Sequence, residues 1–298
     1  MYYDSGLTNI LVTGARGQIG SALSKRLGPR AIPLDRRQLD IADCDMVEAV
    51  VKDKDPQAII NCAGFTNVRQ CDGNTKYGWE ANSMGVANLA NVASRLAIPL
   101  IHVSSDFVFG QDKNKDTPYD EDDPTGPINN YGFSKLAGEF EILRHAAAYC
   151  DWPYAIVRTA GVFSMPGTAP KSSNFFRTII PLSKVQKRLE VASDVHTNLT
   201  RAEDLAEALI WLLFFIEENP RGIYHITNPG CTTWYDAARL LIGDKAQPVS
   251  KETCADRTKT PCAVMPNYTC LGQRKYLELG GPELPPWNEA VKELAAAL

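Results

Sequence analysis

Asn9-Ile-Leu-Val-Thr-Gly-Ala-Arg-Gly-Gln-Ile-Gly20 decides the fold. A short run of apolar and β-branched residues ends on Thr13, glycines follow at 14, 17 and 20, and Ile19 to Leu27 carries a helical pattern, so the stretch reads strand, tight turn, helix. Gly14, Gly17 and Gly20 let the chain turn sharply and bring backbone N–H groups and a helix N-terminus against a pyrophosphate. Arg16, Gln18 and Ile19 sit inside that loop and count with it as cofactor contacts. A second short strand, Ala31 to Leu34, closes on Asp35, about 20 residues beyond the first glycine, the separation of a ribose-binding acid in a βαβ unit. A glycine pattern alone is weak evidence; placed between these two strands it points to a dinucleotide.

The alternation continues outward from that unit. A helix near Cys44 to Lys52, a strand at Ala58 to Asn61, a helix near Lys76 to Arg95 and a strand at Leu100 to Ser104 follow in turn. Strands separated by helices imply a parallel, doubly wound sheet. Gln111 to Pro127 is polar and Pro-containing and reads as a surface loop before a helix carrying Tyr131 and Lys135. Tyr154 to Thr159 is a further strand. Thr200-Arg-Ala-Glu203 is a capping-box signature ahead of an apolar helix ending near Glu217, and Ile223 to Ile226 reads as another strand. From Asn228 onward the βα rhythm loosens. The expected class is α/β: a Rossmann-type doubly wound parallel sheet with a smaller C-terminal α/β substrate-binding domain. Residues 1–160 form the dinucleotide domain with about 196–227 packing back onto it, and 161–195 with 228–298 form the substrate domain.

Composition narrows the function classes. The 298 residues carry 31 Lys and Arg against 35 Asp and Glu, a net charge of −4, which gives no basic face for nucleic acid. The longest apolar run, Leu209 to Ile216, is far short of the roughly 18 to 20 residues that cross a bilayer. The first residues lack the plan of a secretory signal, so the expected location is cytoplasmic, with no membrane partner. Eight cysteines are scattered without a C-x-x-C pair or a histidine at zinc-like spacing, so they are expected to be reduced structural thiols and no metal site is assigned. Cys254, Cys262 and Cys270 are evenly spaced, without a fourth ligand.

The chemistry concentrates in three residues. Tyr131 and Lys135 are four apart, so on a helix a phenol and an ammonium share one face and can meet one substrate atom. The ammonium is expected to lower the phenol's pKa and so let it exchange protons near neutrality. Ser105 ends its strand at the carboxyl edge of the sheet, where open α/β sheets bind ligands, while Ser104 points to the other side. On the cofactor side, Asp35 favours NAD(H), whereas Arg36, Arg37 and Arg16 can hold a 2′-phosphate; NADP(H) is favoured and NAD(H) stays open. Asp40 and Ile41 lie where they can reach the adenine, with a helix N-cap as the alternative for Asp40. Cys62, Ala63 and Gly64 are small enough for a planar cofactor to approach the backbone. Asn82, a poor helix former inside a predicted helix, has a hydrogen-bonding role in the interior or a plain surface place.

Several blocks of sequence are similar to one known family. Thr13-Gly-Ala-Arg-Gly-Gln-Ile-Gly20, His102-Val-Ser-Ser-Asp-Phe-Val-Phe109, Pro118-Tyr-Asp-Glu121, Tyr131-Gly-Phe-Ser-Lys-Leu-Ala-Gly-Glu139 and Gly222-Ile-Tyr-His225 resemble the extended short-chain dehydrogenase/reductases, and within them the dTDP-4-dehydrorhamnose reductase family. The resemblance implies NAD(P)H-dependent reduction of the 4-keto group of a nucleotide-linked 6-deoxyhexose. Tyr131 is then the proton donor, Lys135 holds the nicotinamide ribose, and Ser105 bonds the substrate oxygen, with Asp106 and Phe107 beside it. Asn174, Phe175 and Arg177 follow the family's substrate loop and would hold hydroxyls or diphosphate, or else pack the domain; Arg201 is a weaker phosphate candidate. A homodimer is compatible with the family.

The chain departs from the family pattern away from the Ser/Tyr/Lys core. Gly161 stands where these reductases carry a Trp, Arg69 replaces an acid, Thr197-Asn-Leu-Thr200 replaces a Gly-x-Pro-Thr block, and Met265 precedes Pro266 where Arg is usual. A lost aromatic wall leaves room for a different sugar. Two rival readings remain beside reduction: a nucleotide-sugar epimerase or dehydratase of the same superfamily, and a non-catalytic NADP-binding regulatory subunit.

Overall fold

The computed structural model describes residues 6–169, 174–216, 221–256 and 264–297. Its first half runs β1 (Ile10–Thr13), α1 (Gln18–Leu27), β2 (Ala31–Leu34), α2 (Cys44–Lys54), β3 (Ala58–Asn61), α3 (Val68–Gly73), α4 (Thr75–Trp79), α5 (Gly85–Arg95), β4 (Leu100–Ser105), α6 (Asn130–Ala148) and β5 (Tyr154–Thr159). The second half runs β6 (Val162–Phe163), α7 (Phe175–Val185), β7 (Leu189–Ala192), β8 (His196–Thr197), β9 (Thr200–Arg201), α8 (Ala202–Ile216), β10 (Gly222–His225), β11 (Thr232–Thr233), α9 (Trp234–Ile242), β12 (Ala246–Val249), α10 (Lys251–Asp256), α11 (Arg274–Glu278) and α12 (Trp287–Ala296).

Six strands form one sheet in the order β2-β1-β3-β4-β5-β10, and every neighbouring pair is parallel. All residues of β1, β3, β4 and β5 are buried, as strands covered on both faces must be. Leu23 and Leu27 of α1 pack with Leu205, Leu209 and Leu212 of α8 on one face. Val47, Val51, Leu89 and Ile142, from α2, α5 and α6, cover the other. The chain winds one way from β1 to β2 and the other way from β3 onward, so the topological switch lies between β1 and β3, and ligand crevices form there at the carboxyl ends. The doubly wound parallel sheet expected from the sequence is present, with β10 as one of its edge strands and α8 packed on one face.

Local expectations need three corrections. The single helix over 76–95 is broken: Asn67 caps α3, Asn74 caps α4, and a π-helical turn over Glu80–Met84 intervenes before α5. No capping box forms at Thr200. Thr200 sits in β9, its hydroxyl accepts from Thr159 Oγ1 (3.3 Å), and the Glu203 carboxylate accepts the Met165 N–H (3.2 Å) instead of turning back. The expected end of α8 at Glu217 lies outside the described residues. Cys231 and Cys270 are disulfide-bonded, 5.6 Å apart at Cα, against the expectation of reduced thiols throughout. Their partnership comes from β11 pairing with β8 and from the bridge between His196 and Tyr268, a tertiary juxtaposition that 39 residues of separation conceal. Cys44, Cys62, Cys71 and Cys150 are free thiols.

Candidate active site

Extended geometry sends adjacent side chains of β4 to opposite faces. Ser104 therefore points back to the Glu139 carboxylate, while Ser105 faces the cleft, donating to Asp106 Oδ1 (3.0 Å) and accepting the Phe107 N–H (3.2 Å). Helix α6 starts where Asn129 Oδ1 accepts the Gly132 N–H (2.8 Å), and Asp72 accepts the Asn130 N–H (2.9 Å). A Cβ on Gly132 would lie 2.2 Å from Phe107 O, so only glycine lets the helix dock this close to the end of β4. That docking sets the Tyr131 phenol beside the Ser105 hydroxyl, close enough for Ser105 to lower the phenol's pKa, with the Phe107 ring edge-on to it at 5.5 Å.

Burial, not the lysine, dominates the phenol. It raises the Tyr131 pKa well above that of a free tyrosine, with Ser105 partly opposing the rise. The expected lowering by Lys135 is thus corrected. Lys135 Nζ donates to Val103 O (2.7 Å) and lies 3.4 Å from His102 Nε2. Burial brings the lysine down to about 8, with Glu139 and Cys62 pulling the other way. Asp106 is pushed up to about 6 by burial, against hydrogen bonds from Thr269, Ser105 and Thr197. Its carboxylate stands behind Ser105, accepting from Ser105, Thr197 and Thr269.

The glycine loop closes over the switch point. Gly14 has φ +62, and a Cβ there would meet Ala63 N and Cys62 O at 2.7 Å; a Cβ on Gly20 would meet Gly14 O at 2.4 Å. Asp35 is held below the usual carboxylate range by Arg16 (Nη1 to Oδ2, 3.2 Å) and by the Arg37 N–H. Arg36 is paired with Asp40 (3.0 Å), whereas the Arg37 guanidinium has no ion pair among the described residues. The Ile41 side chain packs into the core against Gly85, and Ile19, only partly buried, packs against the α1 side of the sheet. Burial pushes the Cys62 thiol up to about 12.

Asn82 has the interior role. Its Oδ1 accepts the Phe65 N–H (2.8 Å), and its Nδ2 donates to Phe65 O (3.0 Å) and Ser134 Oγ (2.9 Å), clamping the segment after Gly64 to α6. Asn174 caps α7 through the Arg177 N–H and donates to Gln18 Oε1 (2.6 Å), which also accepts from Ser164 Oγ (3.0 Å); Gln18 Nε2 donates to Val162 O (3.1 Å). The Arg177 guanidinium braces the loop before α7, donating to Ala169 O (2.7 Å), Thr168 O and Ser164 Oγ. Arg201 pairs with Asp204 and Glu293. Gly161, with φ +49, has Asn198 O only 2.3 Å from where a Cβ would be, so this backbone admits no side chain at the position where the family pattern places Trp.

Sequence reasoning missed a buried layer beneath the site. Glu139 and Arg158 form an ion pair there, His225 approaches Arg158 Nη1 at 3.5 Å, and Thr13, Asn61 and His102 line up toward Lys135. One signal was available: Glu139 follows Lys135 by four residues and Tyr131 by eight, on the same helix face.

This geometry is a serine, a phenol and an ammonium at the carboxyl edge of a doubly wound sheet, and the family described as RmlD substrate binding domain matches residues 8–298. The chain belongs to this dTDP-4-dehydrorhamnose reductase family. It is 33% identical over 293 residues to the spore coat polysaccharide biosynthesis protein SpsK of Bacillus subtilis, with 96% of each chain covered. It is 34% identical to a dTDP-4-dehydrorhamnose reductase of Mycolicibacterium smegmatis, covering 97% of this chain and 85% of that one. Among solved structures it is similar to the Bacillus anthracis dTDP-4-dehydrorhamnose reductase in complex with NADP, at a TM-score of 0.85 and 27% identity, covering 98% and 99% of the two chains.

Proposed function

We propose that this chain is an NAD(P)H-dependent oxidoreductase that reduces the 4-keto group of a dTDP-linked 6-deoxy-4-keto-hexose. The observation that carries this is the placing of Tyr131 beside Ser105 at the end of β4, with Lys135 one helical turn on, beside the β1/β3 switch. The residues fit a dinucleotide. The Gly14–Gly20 turn excludes side chains at Gly14 and Gly20, Asp35 and Arg37 flank the end of β2, and Lys135 has ammonium protons beyond the one given to Val103 O. NADP(H) is favoured by the unpaired Arg37, and NAD(H) is tolerated through Asp35.

When bound, the reduced nicotinamide supplies the hydride. Ser105 and Tyr131 hydrogen-bond the keto oxygen, and Tyr131 Oη gives it a proton. A phenol kept protonated by burial is an acid ready to donate across the whole neutral range. Lys135 holds positive charge beside the tyrosinate that forms. Gly14, Arg16, Gly17, Gln18, Asp35, Arg36, Arg37, Asp40, Cys62, Ala63, Gly64 and Asn82 build the cofactor side, Asn82 by shaping the backbone at Gly64 and Phe65. Phe107 bounds the substrate, while Asp106, Asn174 and Arg177 act on it by fixing Ser105 and the loop before α7. At 161 the place of a side chain is filled by the Asn198 backbone, so that position gives the sugar no aromatic wall.

We further propose that residues 1–160, with about 196–227, form the cofactor unit, and that 161–195 with 228–298 form the substrate unit. No helix among the described residues is long and apolar enough to cross a membrane; a cytoplasmic place and a homodimer complete the proposal. The test is substrate-dependent oxidation of NADPH by dTDP-4-keto-6-deoxyhexose. Turnover of nucleotide sugar without net oxidation makes the chain an epimerase or dehydratase instead. NADPH binding with no turnover, and a stoichiometric partner on purification, makes it a regulatory subunit.

A further inference from the structure

A hydrogen-bonded line crosses three neighbouring strands and stops beside the catalytic lysine. Thr13 Oγ1 of β1 donates to Asn61 Oδ1 of β3 at 2.6 Å, Asn61 Nδ2 meets His102 Nδ1 of β4 at 2.9 Å, and His102 Nε2 lies 3.4 Å from Lys135 Nζ. Thr13, Asn61, His102 and Lys135 are all buried, with exposures of 1%, 0%, 0% and 4%. Nothing in the roles assigned above accounts for a fully buried histidine at that place.

The partners decide which ring nitrogen carries the proton. The Ala63 backbone N–H can only donate, and it lies 3.1 Å from Asn61 Oδ1 and 3.2 Å from Thr13 Oγ1. That end of the Asn61 amide is therefore the oxygen, and its NH2 faces His102. A donor facing Nδ1 requires a lone pair there, so the neutral imidazole carries its hydrogen on Nε2, toward Lys135. Burial and the neighbouring Lys135 both oppose a charged ring.

We infer that His102 is a positioning residue for Lys135: locked by Asn61 in the Nε2–H tautomer, it turns a donor toward the lysine nitrogen. An ammonium cannot donate to that N–H, so its protons are steered onto Val103 O and into the cleft. When Tyr131 has protonated the substrate oxygen, a proton passes from Lys135 to restore the phenol, and the lone pair left on the neutral amine accepts the waiting His102 Nε2–H. Solvent water then returns the lysine's proton, and no bond to His102 is broken. The other titratable groups acting on Lys135 are Glu139 one turn further along α6 and the Cys62 thiol just after β3, while Tyr131 precedes it by one turn of the helix.

The inference rests on the reductase reading, so its test has a readout that needs no turnover. Nitrogen NMR of 15N-histidine-labelled protein is expected to show His102 as a neutral Nε2–H tautomer from pH 5 to 8, on the order of one unit either side of the free imidazole pKa. Asn61→Asp, which places an acceptor at Nδ1, is expected to invert the tautomer. In the keto-sugar assay His102→Leu should lower kcat by about tenfold with KM held within about twofold. Its high-pH limb should move up by about one unit, because a donor that opposed the ammonium has gone. His102→Gln, which keeps an amide N–H, should restore both. An Nδ1–H tautomer in the unsubstituted protein overturns the inference, as does a His102→Leu enzyme with unchanged kcat and pH profile, or a Gln variant no better than Leu. Should Leu prevent folding, the tautomer and the Gln variant still decide. Failure of the reductase reading would instead leave the unsubstituted protein without turnover while the tautomer stands.

Discussion

Glu139 grips Arg158 with both carboxylate oxygens, at 3.0 Å (Nε to Oε1) and 2.7 Å (Nη2 to Oε2), directly beneath the strand that ends in Ser105. The two side chains are 1% and 3% exposed, and the guanidinium also lies 5.0 Å over the Phe109 ring. Removing one partner of a buried pair strands the other charge. Glu139→Ala is expected to cost about 3–5 kcal/mol of stability, read as a shift in the urea midpoint. An unchanged midpoint would mean that Arg158 finds another partner.

Tyr131→Phe deletes one hydroxyl from a position whose backbone is fixed by Asn129 and Gly132. Turnover should fall at least about a hundredfold, the usual contribution of a positioned acid, while the dissociation constant for NADPH stays within about threefold. Single-turnover absorbance and a fluorescence titration separate the two.

Arg36 and Arg37 differ in what already holds them. Arg36 is bound to Asp40, and Arg37 has no ion pair among the described residues. Arg37→Ala should weaken NADPH binding by about tenfold and leave NADH binding unchanged, a charge-assisted contact being worth about 1.5–3 kcal/mol. Arg36→Ala should have the smaller effect. Equal losses for both cofactors would remove the 2′-phosphate from this corner.

The lysine gives activity and stability opposite dependences on pH. Burial lowers Lys135 from 10.5 to about 8 in the folded protein, so its charge is lost as pH rises through about 8. Turnover should therefore fall on that limb. Stability moves oppositely: between about 8 and 10.5 the unfolded chain holds a proton that the folded chain has released, so stability rises with pH across this window. Asp106 works from the other end. Its folded pKa of about 6 exceeds the ordinary 3.8, so its contribution is full below 3.8 and is lost as pH rises through about 6. Asp106→Asn should flatten thermal stability between those values; a steep fall that survives the substitution would assign the effect elsewhere.

The strands of the sheet were legible because parallel strands buried on both faces are short apolar runs, and Ile10–Thr13, Ala58–Asn61 and Tyr154–Thr159 are such runs bounded by turn residues. The Tyr131/Lys135 face was legible because helical periodicity is a local property. What escaped was set by contacts between distant segments. Nothing near Glu203 announces that its carboxylate serves Met165, and nothing near Cys231 names Cys270. The phenol's high pKa depends on how deeply Phe107 and Ser105 enclose it, and the spacing to Lys135 says nothing about enclosure. Asn82 was singled out correctly as an anomaly in a helix, but its partners Phe65 and Ser134 are 17 and 52 residues away.

Gln18 carries a lesson for anyone recombining relatives of this protein. Its amide is spoken for at three points by Val162, Ser164 and Asn174, so the first turn of α1 and the segment leading into α7 are a matched lock and key. A chimera that exchanges the region after β5 for that of a homologue must transplant residue 18 with it, or the graft will arrive with its seam already open.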